Sequence, residues 1–181
     1  MHQNPPTIRS REVVYANPYQ TITRVIADFP DFSKEYFVND TGTRAGIVVV
    51  HDGSVLLVRQ YRLLIDDLSW EIPGGRVDEG EEPAEAAIRE CLEETGVKCL
   101  HVHPLINYIP GLDVSKNPTH LFYCDRIGTS DPGQIHVDEV AGSEWVDMAE
   151  CINMVARGQI QDSFTLIAIM SIDALHRKSG I

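Results

Sequence analysis

The sequence predicts an α+β fold in which strands outnumber helices. Short stretches of β-branched and aliphatic residues recur along the chain, bounded by Pro, Gly, Asn and Asp, whereas helical periodicity is confined to three segments. The helices do not alternate regularly with the strands, so a repeating βαβ arrangement is not expected. Hydrophobic residues make up 43% and charged residues 23% of the 181 residues. This composition is typical of one globular domain, with room for a small appended sheet.

The strand signals are short apolar runs between turn residues. Asn17-Pro18 and Pro30-Asp31 separate the first three runs, and Asp52-Gly53 predicts a two-residue hairpin turn between the next two. The predicted strands cover residues 12–17, 20–28, 34–39, 43–51, 54–61, 98–106, 120–125 and 143–146.

Three helices are predicted, over Pro83–Thr95, about 148–157 and about 162–177. Pro83 suits a first helical turn, and Gly96 suits the position just past the end of that helix. Asp162 is the expected N-cap of the last helix, which carries apolar residues along one side.

The overall charge and the N-terminus limit the possible partners. A formal net charge of −12 disfavours nucleic acid and anionic membranes, and it would repel a diphosphate unless divalent cations lie between the two. The first residues, Met1-His2-Gln3-Asn4-Pro5-Pro6, lack a basic region and an apolar stretch, so neither a signal peptide nor a membrane span is expected.

The four cysteines are dispersed and form no C-x-x-C pair. This spacing argues against a zinc knuckle or a redox dithiol. They are expected to be reduced core residues of a cytoplasmic protein. The four are Cys91, Cys99, Cys124 and Cys151.

The helix at Pro83–Thr95 combines an apolar face with a cluster of acids. At about 100° per residue, Glu90, Glu93 and Glu94 fall in an arc of roughly 100° on the side away from the apolar residues. Like charges at these spacings destabilise a helix by a few tenths of a kcal/mol per pair, and the C-terminal end is the wrong end for anions. A hard divalent cation would resolve the conflict. The alternative is a solvated acidic face balanced by Arg89.

The residues around these acids form a longer motif. The motif runs from Gly75 to Val97 and reads Gly75-x5-Glu81-x7-Arg89-Glu90-Cys91-x-Glu93-Glu94-x-Gly96-Val97. This segment resembles the Nudix box, with Cys91 as a small hydrophobe where that family prefers an aliphatic residue. Seven fixed residues at fixed spacing make a far more specific signal than a lone G-x-G-x-x-G.

The resemblance implies a metal-dependent pyrophosphohydrolase. Glu90 and Glu94 would be the main carboxylate ligands of Mg²⁺, with Mn²⁺ as a possible substitute, and the Gly74 carbonyl would be a further ligand. Glu93 would lie beside the metals, in direct contact or one layer out.

The same resemblance assigns supporting roles within the box. Arg89 would hold the carboxylates in register, Glu81 would be structural, and Gly75 and Gly96 would serve the loop–helix–loop shape.

Segments outside the box resemble one branch of the family, the ADP-ribose pyrophosphatases and nucleotide-sugar hydrolases. The resemblance then covers nearly the whole chain and implies an α/β/α sandwich with a mixed central sheet and an N-terminal antiparallel sheet. The segments are Asn17-Pro18-Tyr19, Leu57-Val58-Arg59-Gln60-Tyr61-Arg62, Trp70-Glu71-Ile72-Pro73-Gly74-Gly75, Ile109-Pro110-Gly111 and Gly158-Gln159-Ile160-Gln161-Asp162.

The branch also implies a domain plan and a set of substrate contacts. Residues 1–40 would build a homodimer and part of the substrate pocket, and residues 41–181 would form the catalytic domain with its box at 75–97. Tyr19 would stack on the base, and Arg44 and Arg62 would contact phosphate. Trp70 and Glu71 complete the expected substrate-binding set, although aromatics such as Tyr19 and Trp70 are more often core or strand-edge residues.

A further catalytic acid is expected in the loop at Val137-Asp138-Glu139-Val140. Glu139 would be either another metal ligand or the base that takes the proton of water. A solvated Asp-Glu pair is the alternative. His136 and the His101-x-His103 pair are interpreted as strand or loop surface residues, because a zinc site needs three or four convergent ligands.

The expected function is hydrolysis of the diphosphate linkage of ADP-ribose or a related nucleoside diphosphate sugar. Two other functions remain open: hydrolysis of a dinucleoside polyphosphate, a coenzyme or an oxidised nucleoside triphosphate, and sensing of a nucleotide sugar without cleavage. The sequence shows no tag of the NADH- or coenzyme A-cleaving branches, and a sensing module would usually have lost box residues that this chain keeps.

Overall fold

A computed structural model describes residues 5–129 and 140–179 of the chain. They form two compact units, one made of residues up to 43 with 108–119 and the other of 44–107 with the residues from 120 onward. The strands are β1 (Thr7–Ala16), β2 (Thr21–Asp28), β3 (Ser33–Asp40), β4 (Arg44–His51), β5 (Ser54–Arg62), β6 (Asp67–Glu71), β7 (Gly74–Arg76), β8 (Cys99–Tyr108), β9 (Ser115–Lys116), β10 (Thr119–Ile127) and β11 (Gly142–Asp147), and the helices are α1 (Pro83–Thr95), α2 (Met148–Ala156) and α3 (Ser163–Ser179).

The first unit is a four-stranded sheet in the order β1-β2-β3-β9. The first three strands pair antiparallel, and β9 pairs parallel with β3. Strand β1 begins at Thr7, five residues before the predicted start, because irregular pairing at Ile8/Ser10 and Val13/Tyr15 breaks the strict alternation that marks a strand in sequence. Every residue of β1 is exposed.

The second unit is built on a seven-stranded sheet. Its main path runs β11-β5-β4-β10-β8, with β6 on β5 and β7 on β4. Residues of β4 alternate between the two faces of the sheet. Ala45, Ile47 and Val49 pack in one core with buried residues of α1, whereas Gly46 faces the Phe164 ring of α3, where a Cβ would lie 2.1 Å from the ring. The sheet therefore has α1 on one face and α3 on the other, as the predicted α+β sandwich requires.

The hairpin predicted at Asp52-Gly53 is confirmed. Strands β4 and β5 pair antiparallel across it, with His51 opposite Ser54. Both turn residues have positive φ, 47° for Asp52 and 77° for Gly53, which is the conformation of a type I′ turn.

The helix ends follow the local signals in the sequence. Helix α1 has the predicted bounds, with a reciprocal Glu82–Glu85 capping box at its start and Gly96 in a left-handed conformation at its end. The predicted cap of α3 is also confirmed, because the Asp162 carboxylate accepts hydrogen bonds from the amide and the hydroxyl of Thr165, both at 2.8 Å.

Three short strands, β6, β7 and β9, were not predicted. Strand β7 contains two glycines in three residues, and β9 has only two residues, so neither carries an apolar alternation. Strands β7 and β9 pair with strands that are distant in sequence, and this pairing rather than local propensity determines their conformation, whereas β6 pairs with β5 across a short connection.

All four cysteines are free and buried, as expected. No helix in the described part of the chain has both the length and the apolar character needed to span a membrane.

Candidate active site

Arg89 lies at the centre of the acids of the box. Its guanidinium donates to both carboxylate oxygens of Glu81 at 2.9 and 3.1 Å, to Glu90 at 2.9 Å and to Glu93 at 3.1 Å. It also donates to the carbonyl of Arg76 at 3.1 Å. The hydrogen bond from Arg89 lowers the pKa of the Glu81 carboxyl and keeps it ionised. One cation therefore positions three carboxylates and ties them to β7.

Glu90 packs against the glycine that opens the box. A Cβ placed on Gly75 would lie 2.3 Å from Glu90 Oε1, closer than nonbonded atoms can approach. Only glycine leaves room at this position for the carboxylate to lie against the backbone of β7. The glycine at 75 therefore serves the placement of Glu90.

Glu94 is the most buried acid of the box, with 5% of its surface exposed. Its carboxylate accepts hydrogen bonds from the Gln60 side-chain amide at 3.1 Å and from the Gly74 N–H at 3.0 Å. The helical wheel places this residue away from the apolar face of α1, yet β5 and the turn before the box cover that side as well. The interpretation of a merely solvated acidic face is therefore wrong for Glu94.

Burial raises the pKa of Glu94 to about 8. The Gly74 N–H opposes this shift, while the negative charges of Glu90 and Glu71 add to it and Arg62 lessens it. A carboxyl in this position holds a proton near neutral pH unless a cation stabilises its charge.

Beside Glu94, Arg62 of β5 forms a two-point ion pair with Glu71 of β6. Its Nε donates to one oxygen of Glu71 at 2.7 Å and its Nη2 donates to the other. The Glu71 side chain is 7% exposed and that of Arg62 is 42% exposed. The hydrogen bonds to Glu71 raise the pKa of Arg62 above its usual value. The pair thus presents a cation at the mouth of a depression.

That depression is a pocket of about 330 Å³ lined by Arg62, Glu71, Ser69 and Asp162 together with the apolar residues 63–65. The lining residue Asp162 is connected to α3, because its carboxylate accepts a hydrogen bond from the Thr165 hydroxyl at 2.8 Å, and that hydroxyl accepts one from the Ile72 N–H at 3.0 Å. The pocket therefore combines polar groups on one wall with apolar side chains on the other, as small-molecule sites commonly do.

The other residues predicted to contact substrate are more dispersed. Arg44 lies over the Phe164 ring at 5.2 Å, and Trp70 faces the guanidinium of Arg59 at 4.4 Å. Tyr19 is 77% exposed and belongs to the other compact unit. The expected acid Glu139 lies outside the described residues, as do Asp138 and His136.

Sequence reasoning assigned no role to Gln60, Thr165 or Asp162 at this site. Gln60 follows four fully or nearly fully buried residues in β5, and a polar amide at the end of such a strand is the signal that could have indicated it. The sequence also does not indicate the environment of Arg59. Its Nε is buried and has no hydrogen-bond partner among the described residues.

The donor set fits hard divalent cations. Glu90, Glu93 and Glu94 offer carboxylate oxygens on one side of α1, and the burial of Glu94 leaves its negative charge poorly compensated by the protein alone. Oxygen-rich sites of this kind suit Mg²⁺ or Mn²⁺ rather than soft metals.

Comparison with known proteins agrees with this geometry. The family model of the NUDIX domain matches residues 40–164. The chain is 29% identical over 168 residues to the CMP-5'-(N-acetyl-N-hydroxy-3-aminopropyl)phosphonate hydrolase of Streptomyces rubellomurinus (strain ATCC 31215), covering 91% of this chain and 80% of that protein. It is 25% identical over 138 residues to an ADP-ribose pyrophosphatase of Bacillus subtilis (strain 168), covering 76% of this chain and 75% of that protein.

A solved structure shows the same fold. The crystal structure of an ADP compounds hydrolase superposes with a TM-score of 0.84 and 18% sequence identity, covering 98% of this chain and 97% of that chain. The match of the family model extends over most of the chain and includes the whole box at 75–97, in which Arg89 forms hydrogen bonds with the acids. The chain therefore belongs to the NUDIX family and is a pyrophosphohydrolase related to its ADP-ribose pyrophosphatases.

Proposed function

We propose that this enzyme hydrolyses the diphosphate linkage of ADP-ribose or a related nucleoside diphosphate sugar, giving a nucleoside monophosphate and a sugar phosphate. The observation that carries the proposal is the buried carboxyl of Glu94, held by Gln60 and Gly74 within the field of Glu90 and Glu71. Burial of a carboxylate beside other acids is unfavourable for the protein alone, and a cation bound between these acids and a diphosphate would offset that cost.

Glu90, Glu94 and the Gly74 carbonyl are proposed to hold Mg²⁺, for which Mn²⁺ could substitute. When bound, such ions neutralise diphosphate oxygens and lower the pKa of an attacking water. Arg89 holds the carboxylates of Glu90 and Glu93 in position, because it donates a hydrogen bond to each. Gln60 and Gly74 fix the Glu94 carboxylate from the other side.

The reaction adds water across one P–O bond of the bridge. The water oxygen bonds to one phosphorus, the bond from that phosphorus to the bridging oxygen breaks, and the other phosphate leaves as a monoester anion. The released proton needs a base. The two candidates for this role are Glu93 and Glu139. Glu93 is 31% exposed and shares the Arg89 guanidinium with Glu90.

The pocket at Arg62 is proposed to hold a phosphate or sugar portion of the substrate. Arg62 is already oriented by its two bonds to Glu71, so its charge can contact an anion with little further ordering. Arg44 and Trp70 are proposed as additional contacts on the same unit. Tyr19 is proposed as the ring that stacks on the base in a nucleoside pocket completed by the partner chain of the homodimer.

The N-terminal strands, residues 1–40 in the proposed division of the chain, are assigned to a homodimer interface. The fully exposed strand β1 supports this, since it presents Val13 (60% exposed), Val14 (46%) and Tyr15 (49%) to its surroundings. An edge strand with exposed apolar residues is a natural pairing surface. Light scattering coupled to gel filtration should give the mass of two chains.

A substrate panel tests the proposed reaction. Purified enzyme is incubated with ADP-ribose, several nucleotide sugars, a CMP-linked phosphonate and a dinucleoside polyphosphate, in Mg²⁺ or Mn²⁺, and the release of phosphomonoester is measured. We expect the highest kcat/KM for ADP-ribose or a nucleotide sugar, and no turnover after chelation of the metal.

Two outcomes would contradict the proposal. Preference for the CMP-linked phosphonate would favour the chemistry named for the Streptomyces relative. Calorimetric binding of ADP-ribose with no product in excess Mg²⁺ would instead indicate a sensing module.

A further inference from the structure

Three side chains of the types that bind metals lie close together on the opposite face of the seven-stranded sheet from the box helix. In β10, Cys124 belongs to the core that contains α1 residues. Because strand residues alternate between faces, Tyr123 and Asp125, which flank Cys124, point to the other side. His103 of the neighbouring strand β8 stacks on Tyr123, and His101 contacts both His103 and Asp125, so both histidines lie on that side too.

Their ligand atoms form a compact triangle. His101 Nδ1 lies 3.2 Å from Asp125 Oδ1 and 3.1 Å from His103 Nε2, and His103 Nε2 lies 3.9 Å from Asp125 Oδ1. A tetrahedral zinc ion with bonds of about 2.0–2.1 Å places neighbouring ligand atoms about 3.3 Å apart. Two of the three separations match this spacing, and the third, at 3.9 Å, would shorten through a small side-chain adjustment on binding.

Hydrogen bonding alone explains the triangle poorly. A neutral imidazole nitrogen carries either one hydrogen or one lone pair in the ring plane, so His101 Nδ1 cannot make two full hydrogen bonds at once. Both His103 and Asp125 nevertheless approach this nitrogen within 3.2 Å. A cation at the centre of the three atoms would satisfy all three lone pairs together.

The His103 ring is held in place by a neighbour on β10. Tyr123 stacks on it with ring centroids 4.8 Å apart and an interplanar angle of 22°. Oriented imidazoles lose less freedom when they bind a metal, which is how supporting residues raise metal affinity. Only the His101-x-His103 pair is evident in the sequence, because Asp125 comes close to it through the pairing of β8 with β10.

We propose that His101 Nδ1, His103 Nε2 and Asp125 Oδ1 bind one Zn²⁺ ion, with solvent completing the coordination. Two imidazoles and one carboxylate suit Zn²⁺ and its neighbours Co²⁺ and Ni²⁺, whereas Mg²⁺ prefers oxygen ligands alone. This site is separate from the box in position and in donor chemistry. The ion would link β8, at one end of the main path of the sheet, to β10, and would stabilise the folded chain by mass action.

Zinc binding in the presence of excess Mg²⁺ tests the site, because excess Mg²⁺ would compete for the oxygen ligands of the box. Metal-stripped enzyme is titrated with Zn²⁺ by calorimetry, and its melting temperature is recorded with and without Zn²⁺. The variants are His103→Ala and Asp125→Asn. His51→Ala is the matched control, since His51 is also a surface histidine, 51% exposed, at the end of a strand of the same unit.

We expect one Zn²⁺ per chain in the wild type, with a raised melting temperature. Each site variant should bind zinc more weakly by more than about tenfold and lose the thermal shift, while His51→Ala keeps both. Absence of binding by the wild type would overturn the proposal, and so would unchanged affinity in folded His103→Ala and Asp125→Asn enzyme. Nucleotide hydrolysis in Mg²⁺ is measured separately, and its outcome does not affect this inference.

Discussion

The backbone N–H of Gly74 donates a 3.0 Å hydrogen bond to the Glu94 carboxylate, joining the turn before the box to the last turn of its helix. Twenty residues of sequence separate the two groups. The contact fixes the carboxylate while leaving it almost fully buried, so the ionisation of Glu94 becomes sensitive to whatever cation lies beside it.

Replacement of Glu94 by glutamine should remove activity without unfolding the protein. The amide keeps the volume and can accept the Gly74 hydrogen bond, but it cannot supply a negative ligand oxygen. We expect kcat to fall by at least about 100-fold, with a melting temperature equal to or above that of the wild type, because a buried neutral amide is easier to accommodate than a carboxylate. Glu79→Gln, an exposed acid within the same box, is the control and should keep wild-type kcat.

The stability of the metal-free enzyme should decrease as pH rises from about 5 to about 8. Glu94 has a folded pKa raised to about 8 from an ordinary value of 4.5. In this interval the folded state binds more protons than the unfolded state, so the free energy of unfolding falls with increasing pH and levels off above about 8. Thermal melts across this range check the slope. Mg²⁺ should reduce the slope and Glu94→Gln should flatten it, whereas an equal slope in that variant would show that another group titrates.

Substitution of Gly75 by alanine should act through Glu90. The added Cβ would lie 2.3 Å from Glu90 Oε1, so the carboxylate must move away from its place against β7. We expect kcat/KM to fall by about tenfold or more and the Mg²⁺ concentration for half-maximal activity to rise. Gly142→Ala in β11 is the matched control, because nothing lies within 4 Å of a Cβ there. Equal effects of the two substitutions would contradict the assignment.

Removal of Arg62 should destabilise the protein through its buried partner. Glu71, whose side chain is 7% exposed, would lose its counter-ion. Since Arg62 is itself 42% exposed and solvent screens the pair, the loss for Arg62→Ala should be about 1–3 kcal/mol. The double variant Arg62→Ala/Glu71→Gln should recover part of this loss in denaturant unfolding, and KM should rise in both. No recovery in the double variant would mean that Arg62 stabilises the fold by other contacts.

The sequence predicted those parts of the structure that depend on local signals. Helix α1 has the predicted bounds because Pro83 and Gly96 mark its ends and its apolar residues repeat with helical spacing. The Asp52-Gly53 hairpin was equally local, since two residues with positive φ determine the turn.

The rest depends on pairing between distant segments. Strand β7 forms because Gly74–Arg76 pairs with β4, some 30 residues earlier. No apolar pattern in the sequence predicts it. Gln60 reaches Glu94 across 34 residues, and Thr165 reaches Ile72 across 93. Such contacts follow from the three-dimensional arrangement, so residue patterns identified the acids of the box and Arg89 but not the Gln60 amide that holds Glu94 or the Thr165 hydroxyl that holds Ile72.

The hydrogen bond from Ile72 to Thr165 has a consequence for any shortened form of this enzyme. The first turn of α3 anchors the strand end that leads into the box, and Phe164 fills the space left by Gly46. A chain ending before residue 162 would lose both supports at once. The C-terminal helix thus supports the turn that leads into the box. Its removal would inactivate the enzyme even though every glutamate of the box was still present.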